Sequence, residues 1–491
     1  MNPSWVFNLR LLSGEADAKI WDFSSWTSWG WFNVLAVLLL SLLAANILKK
    51  AFPFLKRSLI PNSVLGGALI VIVAAIYKAI TGDVLFDTPF FGGNGTALLE
   101  IITYHCLALG FVASSFKTSK NKLSKERVGE IVNTGVTTVS SYLIQGAVGL
   151  VITFVASLLL KDLFAAAGML LPFGYGQGTG QALNYGNIFE TDFGFEGGKS
   201  FGLTIAALGF LSASIGGVIH LNVLRLRGKI KPAQQDEGKI HMHEIQGEGE
   251  IPMQESMDKF TTQIALIGVA YFLAYLIMFG LAKLLPGMKS LIYGFNFLIG
   301  VLSATLVKVF ISLLRRAKLV RRQHINDFLM TRASNLFFDL MVVAGVAAIR
   351  LDYIERYWGV MLILGAAGLI VTYIYNLIVA KTLFPRYHRE QFLMMYGMLT
   401  GTASTGIILL REIDGEFETP AADNMVYQNF PAIVLGFPLM FLATFSPGHE
   451  LLTAGILFAA FIVLNIFLFR SKIFKRKPTG AAAHTEGDSE A

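Results

Sequence analysis

Cysteine and charged residues are scarce in this sequence. The 491-residue chain contains a single cysteine, Cys106, so it can form neither an intrachain disulfide nor a cysteine-based metal cluster. Only 15% of its residues are charged, whereas soluble domains usually carry about 25%. This low charge excludes an ordinary soluble enzyme, a fibrous repeat and an intrinsically disordered chain.

The chain is instead rich in long apolar runs. Hydrophobic residues make up 54% of the chain, and the mean hydropathy is +0.59. A membrane-spanning helix needs about 20 apolar residues. We therefore predict an all-α polytopic membrane protein with eleven spans, near residues 30–48, 59–80, 97–116, 130–160, 200–224, 260–285, 289–314, 333–350, 357–380, 425–445 and 449–470.

The basic residues predict how these spans are oriented. Loops rich in lysine and arginine remain cytoplasmic, and alternate loops of this chain hold thirty of its forty basic residues. The N-terminus is then outside and the C-terminus cytoplasmic. This arrangement holds only if two irregular stretches are re-entrant hairpins, 164–186 from the outside and 390–410 from the cytoplasm. If each were a full helix instead, the basic loops beyond it would lie on the wrong side.

Removing the hairpins leaves two similar halves. Each has four spans, a hairpin and a fifth span, and because five is odd the second half is inverted relative to the first. The fold class is therefore two inverted-topology repeats of five transmembrane helices plus one extra C-terminal helix. The expected segments are an extracytoplasmic N-terminal segment (1–29), the first repeat (30–227), a cytoplasmic linker (228–258), the second repeat (259–447), the extra helix (448–470) and a disordered cytoplasmic tail (471–491).

The distribution of basic residues also predicts which partners the protein has. The net charge of +7 comes from cytoplasmic loops, so we expect the lipid bilayer and no nucleic acid as partner. The linker carries His241 and His243, which could bind a metal, although its composition is typical of a solvated connector.

The hairpins carry the main functional prediction. Irregular backbone inside a membrane leaves polar groups that protein, water, ion or substrate must satisfy, and broken helices offer N-termini to an anion and carbonyls to a cation. Gly176, Gly178 and Gly180 would let a ligand approach the backbone. The neighbouring polar residues are Thr179, Gln181, Thr402, Ser404 and Thr405. The alternative is that these small residues only permit close helix packing.

Ionisable residues inside spans are further candidates. Asp339 lies in an apolar stretch, where it could bind a cation or form a structural hydrogen bond with a neighbouring helix. Arg411 follows the second hairpin and could pair with a substrate carboxylate, or with Glu412 at the surface.

Two other classes of function remain as alternatives. Residues 172–181 contain Gly-Tyr-Gly and could line a channel pore, although a K⁺ filter needs four like loops. An intramembrane enzyme would have to rely on His105 and Glu100, and the chain contains none of the common hydrolase or nucleotide-binding motifs. We therefore expect no enzymatic activity.

Three motifs resemble those of the bacterial sodium:glutamate symporter family. Residues 60–67, Ile-Pro-Asn-Ser-Val-Leu-Gly-Gly, are similar to the family's Ile-Pro-Glu-Pro-Val-x-Gly-Gly. Residues 176–180, Gly-Gln-Gly-Thr-Gly, resemble its Gly-His-Gly-Thr-Gly. Residues 397–407 are similar to its Gly-Phe-Gly-Leu-Gly-Ala-Thr-Pro-Thr-Ala-Ile and keep both Gly397 and Gly401.

This resemblance implies a homodimeric, elevator-type symporter in the bacterial cytoplasmic (inner) membrane, which uses Na⁺ to drive the uptake of an amino acid. Its substrate would be a small carboxylate, with glutamate as the first candidate and another anionic substrate as the alternative. The candidate substrate-binding residues are Gly178, Thr179, Gly180, Gln181, Gly401, Thr402, Ser404, Thr405 and Arg411. The candidate sodium ligands are Gly176, Gln177, Thr400 and Asp339. No organic cofactor is expected.

Overall fold

The computed structural model describes residues 23–116, 125–230, 250, 257–319, 322–414 and 418–470. Most of the predicted N-terminal segment, most of the linker with His241 and His243, and the predicted tail lie outside the described residues. Within this part every regular element is a helix. Its one β-type pairing is an isolated parallel bridge between Glu250 and Gln323.

Fourteen labelled helices make up the described fold. They are α1 (Trp26–Ala51), α2 (Asn62–Thr81), α3 (Gly95–Ser115), α4 (Lys125–Leu159), α5 (Leu170–Phe193), α6 (Gly198–Leu226), α7 (Lys259–Leu284), α8 (Asn296–Arg316), α9 (Asp327–Ala347), α10 (Leu351–Leu383), α11 (His388–Thr400), α12 (Ala403–Arg411), α13 (Asn429–Phe445) and α14 (Glu450–Leu468). Short helices at Pro53–Arg57, Lys289–Gly294 and Ala421–Tyr427 connect them.

Local sequence explains where several of these helices begin and end. The Asp258 carboxylate accepts hydrogen bonds from the backbone N–H groups of Phe260 and Thr261 at the start of α7. The Asn326 side chain accepts one from Leu329 N–H at the start of α9. Such side chains satisfy backbone donors that have no partner inside the helix. At the other end, Gly82 terminates α2 in the left-handed conformation that glycine favours.

Ten helices in the described part of the chain are long and apolar enough to cross a membrane: α1, α2, α3, α4, α6, α7, α8, α9, α10 and α14. They coincide with ten of the eleven predicted spans, and the chain is therefore a multi-pass membrane protein. The remaining predicted span, 425–445, differs: it consists of Ala421–Tyr427 followed by α13, which has only 17 residues. Pro431 has no N–H to donate to the Tyr427 carbonyl, which accounts for the interruption.

The two halves of the sequence are interleaved in space. In the first, α3 packs against α8 and α9 of the second half, and α4 packs against α10 and α14. The Ser334 hydroxyl on α9 donates a hydrogen bond to the Gly110 carbonyl on α3 at 2.9 Å. Gly110 has no side chain, and a Cβ atom built there would lie 2.6 Å from the Phe338 ring. The close α3–α9 packing therefore requires glycine at this position.

Both stretches predicted as hairpins contain interrupted helices. The first comprises a 3₁₀ turn at Ala165–Met169 and α5, whose backbone departs from helical geometry at Gly178. The second comprises α11 and α12, which are separated at Gly401 and Thr402. The element order matches the prediction, with four long helices and then an interrupted segment in each half of the chain.

Candidate functional site

Gly178 interrupts α5 in a conformation that essentially only glycine adopts. Its φ is 77° and its ψ is −170°, whereas residues on both sides are helical. Backbone groups beside such a departure from helical geometry can take partners outside the helix. The Tyr142 hydroxyl on α4 donates to one of them, the Gly176 carbonyl, at 3.1 Å.

The second interruption receives similar support from α4. Helix α11 ends at Thr400, and α12 begins at Ala403. The fully buried Gln145 donates through Nε2 to the Leu399 carbonyl at 3.0 Å and to the Thr372 hydroxyl at 2.7 Å. Polar residues in the middle of α4 thus satisfy carbonyls near both interruptions.

The two interruptions meet. A Cβ atom built at Gly178 would lie 3.1 Å from Cγ2 of Thr402 and 3.7 Å from the Gly401 carbonyl oxygen. The residues following each interruption start a helix, Thr179–Phe193 in one case and α12 in the other. The N-terminus of a helix carries a partial positive charge and free N–H donors, so this meeting point suits an anion.

A cavity of about 170 Å³ adjoins this meeting point. Four predicted site residues line it, namely Gly176, Gln177, Gln181 and Thr402. The rest of the lining comes from α3, α4, α8, α9, α11, α12, the Gln428–Asn429 corner and α13. These residues are Leu107, Phe111, Ser114, Tyr142, Phe297, Leu298, Phe338, Met341, Met398, Ala403, Gln428, Asn429, Ala432, Ile433, Gly436, Phe437 and Met440.

Two amides at this cavity have unused hydrogen-bonding capacity. Gln181 is 1% exposed, and neither its Oε1 nor its Nε2 has a partner in the structure. Gln428 is 2% exposed; its Nε2 donates to Asn429 Oδ1 at 3.0 Å, but its Oε1 has no partner. Because burying an unpaired polar group is costly, these groups are the natural contacts for a ligand.

Other predicted site residues surround the interruptions without lining the cavity. Thr179 is buried, with its hydroxyl 3.3 Å from the Met341 carbonyl, and Gly180 faces Leu107. The Thr405 hydroxyl lies 3.5 Å from that of Thr402, which does line the cavity. The Thr400 hydroxyl donates to the Tyr396 carbonyl of its own helix at 2.6 Å. The side chain of Ser404 lies outside the described part of the structure.

Asp339 and Arg411 lie away from the cavity lining. Asp339 interacts with the Ser63 hydroxyl in the first turn of α2. The dipole of α2 favours an acidic group at this end of the helix. In the isolated chain Asp339 is exposed. This contact corresponds to the structural alternative considered for Asp339. Arg411 is in the last turn of α12, and its neighbour Glu412 pairs with Arg225 at 2.8 Å.

His105 and Glu100 also have separate partners. His105 Nδ1 is 2.7 Å from the Tyr271 hydroxyl, whereas Glu100 pairs with Lys199 at 2.9 Å. The structure does not bring the two residues together as a reactive pair.

Five polar residues at the site were not predicted from the sequence: Ser114, Tyr142, Gln145, Gln428 and Asn429. Gln145 stands alone in an apolar run of α4, and Gln428-Asn429 comes directly before another apolar run that starts at Phe430-Pro431. Isolated amides in such runs are a usable signal, because a buried amide needs a partner.

Comparison with protein families gives a match to the sodium/glutamate symporter model over residues 29–388. The chain belongs to the sodium/glutamate symporter family. No curated protein and no solved structure gives a match. The matched region includes α5 and the Gly178 interruption and ends at the first residue of α11. Membership implies a transporter rather than an enzyme, and it implies coupling to Na⁺.

Substitution of two glutamines by leucine would distinguish a structural role from a role in ligand binding. Gln145→Leu leaves the Leu399 carbonyl without its donor, and we expect it to lower the free energy of unfolding by about 1–3 kcal/mol. Gln181→Leu removes a buried amide that has no partner, so we expect unchanged or higher stability but loss of substrate binding. Thermal unfolding of purified protein, followed by substrate-induced stabilisation of each variant, distinguishes the two roles. Equal destabilisation by both changes would contradict this division.

Proposed function

We propose that this symporter couples Na⁺ entry to the uptake of a small carboxylate, with glutamate as the first substrate to test. The observation that carries the proposal is the meeting of two helix interruptions beside a cavity lined by buried, unpartnered amides. Two helix N-termini suit a carboxylate, and carbonyl and hydroxyl oxygens near the interruptions suit Na⁺.

The proposed substrate contacts are those predicted from the sequence. Gly178 and Gly401 allow close approach to the backbone, while Thr179, Gln181 and Thr402 supply polar side chains. Gly180, Ser404, Thr405 and Arg411 complete the proposed set. Support is strongest for Gln181 and Thr402, the two members of this set that line the cavity.

The proposed sodium ligands are oxygen atoms at Gly176, Gln177, Thr400 and Asp339. Gly176 and Gln177 line the cavity, which favours them. The Gly401 carbonyl, 3.7 Å from a Cβ built at Gly178, and the Thr402 and Thr405 hydroxyls are further oxygens of the kind a hard cation binds.

For the architecture, we propose two inverted repeats (30–227 and 259–447) with re-entrant hairpins, moving as an elevator within a homodimer. The element order and the distribution of basic residues support inversion, and the interrupted helices support the hairpins. We place the protein in a bacterial inner membrane with its C-terminus cytoplasmic. The channel alternative would need four like loops, whereas the described chain supplies two interruptions with different sequences.

The test is uptake into proteoliposomes containing the purified protein. We expect accumulation of radiolabelled amino acid under an inward Na⁺ gradient and none when K⁺ replaces Na⁺. Equal uptake in both salts would reject sodium coupling. Single-channel conductance in a planar bilayer, without saturable counterflow, would support the channel alternative instead.

A further inference from the structure

A separate set of buried polar side chains lies between α4 and α10, next to the second interruption. Asn376 Nδ2 on α10 is 3.4 Å from the Ser141 hydroxyl on α4. One turn further along both helices, Gln145 Nε2 on α4 donates to the Thr372 hydroxyl on α10 at 2.7 Å. All four side chains are fully buried, and none of these four described residues lines the cavity. The two helices therefore bring amides and hydroxyls together outside the candidate substrate site.

Both amides in this set have an oxygen that receives no hydrogen bond. Gln145 Nε2 also donates to the Leu399 carbonyl at 3.0 Å. Asn376 Nδ2 donates to the Thr372 carbonyl at 2.9 Å. Because a carbonyl only accepts, these two contacts fix which end of each amide is the nitrogen. No group of the described residues donates to Gln145 Oε1 or to Asn376 Oδ1.

Thr138 provides a third oxygen of this kind. It lies three residues before Ser141 and seven before Gln145, so the three side chains share the face of α4 that contacts α10. Thr138 is 1% exposed, and its hydroxyl has no partner among the described residues. The neighbouring Thr137 differs, because its hydroxyl donates to the Asn133 carbonyl of its own helix at 2.6 Å.

The missing partner of these oxygens is a small cation. Burying an acceptor without a partner is costly, so a ligand that satisfies several acceptors at once is favoured. A water molecule can donate only its two hydrogens, whereas a hard cation contacts several amide and hydroxyl oxygens together. Neutral ligands suit a singly charged ion, since removing a doubly charged ion from water costs far more.

We propose that Thr138, Gln145 and Asn376 bind a sodium ion between α4 and α10. The hydroxyl oxygens of Ser141 and Thr372 lie beside it. This site is separate from the sodium ligands proposed above, although it rests on the sodium coupling proposed there. The Gln145 amide also holds the carbonyl just before the second interruption. Na⁺ bound here therefore stabilises that interruption in its position beside the substrate cavity.

The first test compares Asn376→Leu with Asn465→Leu. Both asparagines donate through Nδ2 to the carbonyl one turn earlier in their own helix, at 2.9 Å and 2.8 Å. Asn465 Oδ1, however, has a partner, the Tyr375 hydroxyl at 3.0 Å. The unfolding midpoint of the purified protein is measured without substrate while Na⁺ replaces choline at constant ionic strength. We expect Asn376→Leu to shift this Na⁺ titration to about tenfold higher concentration or more, and Asn465→Leu to leave it unchanged.

A second matched pair uses the adjacent threonines of α4. Thr138→Val removes the unpartnered hydroxyl, whereas Thr137→Val removes a hydroxyl that is satisfied within its own helix. Valine keeps nearly the same shape, so this pair tests the site even if Asn376→Leu does not fold. Only Thr138→Val should shift the Na⁺ titration. Gln145 is left unchanged, because its Nε2 also supports the Leu399 carbonyl.

The outcomes distinguish this site from sodium coupling. If Asn376→Leu and Thr138→Val titrate like the unmodified protein, or shift no more than their controls, while uptake still requires Na⁺, the oxygens bind water only; the site is then wrong and coupling stands. If only Asn376→Leu and Thr138→Val shift the titration but uptake is equal in Na⁺ and K⁺, the site is supported and coupling is rejected. If Na⁺ neither stabilises the unmodified protein nor drives uptake, both proposals are overturned.

Discussion

Gly178→Ala is expected to lower Na⁺-dependent uptake by about a hundredfold. A residue with a side chain at this φ and ψ raises the free energy of the transport-competent conformation by about 1–3 kcal/mol. An increase of about 2.8 kcal/mol lowers the population of that conformation by a factor of about one hundred. The added Cβ atom would also lie 3.1 Å from Thr402 Cγ2, so the second interruption must move away. Initial uptake rates in proteoliposomes measure this loss.

Gly194→Ala is the matched control. Gly194 also has a positive φ, 70°, but a Cβ atom built there meets nothing within 4 Å. We expect a slightly less stable protein, by about 1 kcal/mol, with nearly normal uptake. If both variants transport equally well, the close approach of the two interruptions is unimportant for function.

Lys259→Met is expected to produce the largest loss of stability, about 3–5 kcal/mol. The Lys259 side chain is fully buried at the start of α7, and its ammonium lies 2.7 Å from a carboxylate oxygen of Glu250. Asn326 at the start of α9 donates to the same oxygen at 2.7 Å. Removing the ammonium leaves a buried carboxylate without this counter-ion, which destabilises the contact between the linker residue and both helices.

Two further variants test whether the unpaired buried charge, rather than a change in side-chain packing, causes the loss of stability. Lys283→Met, at the other end of α7, removes an exposed lysine and should change the thermal unfolding midpoint very little. In the Lys259→Met background, Glu250→Gln should recover part of the lost stability because the buried charge is gone. A Lys259→Met protein with the unmodified midpoint would show that this ion pair does not stabilise the fold.

Much of the helical framework could be predicted because it depends on local properties. Apolar length alone located ten of the membrane-spanning helices, since a span must be about 20 residues long. Gly178 and Gly401 were recognisable because closely spaced glycines and hydroxyl residues interrupt apolar sequence. The eleventh span was less regular than predicted, since Pro431 breaks the hydrogen bonding before α13.

The composition of the site was harder to predict. Tyr142, Gln428 and Asn429 come from parts of the chain far from either interruption, and only helix packing brings them to the cavity. Asp339 shows the opposite case. Its position in α9 was evident from the sequence, but its interaction with Ser63 in the first turn of α2 depends on tertiary packing.

The amino-acid sequence was sufficient for the membrane class, the order of the helices and the two interruptions, because hydropathy and backbone preference act over neighbouring residues. The tertiary structure was needed to show that Gly178 meets Thr402 and that unpartnered amides line the adjoining cavity without a cationic side chain among its described lining residues. Those facts arise from contacts between residues more than two hundred positions apart, where no local pattern specifies which side chains face each other.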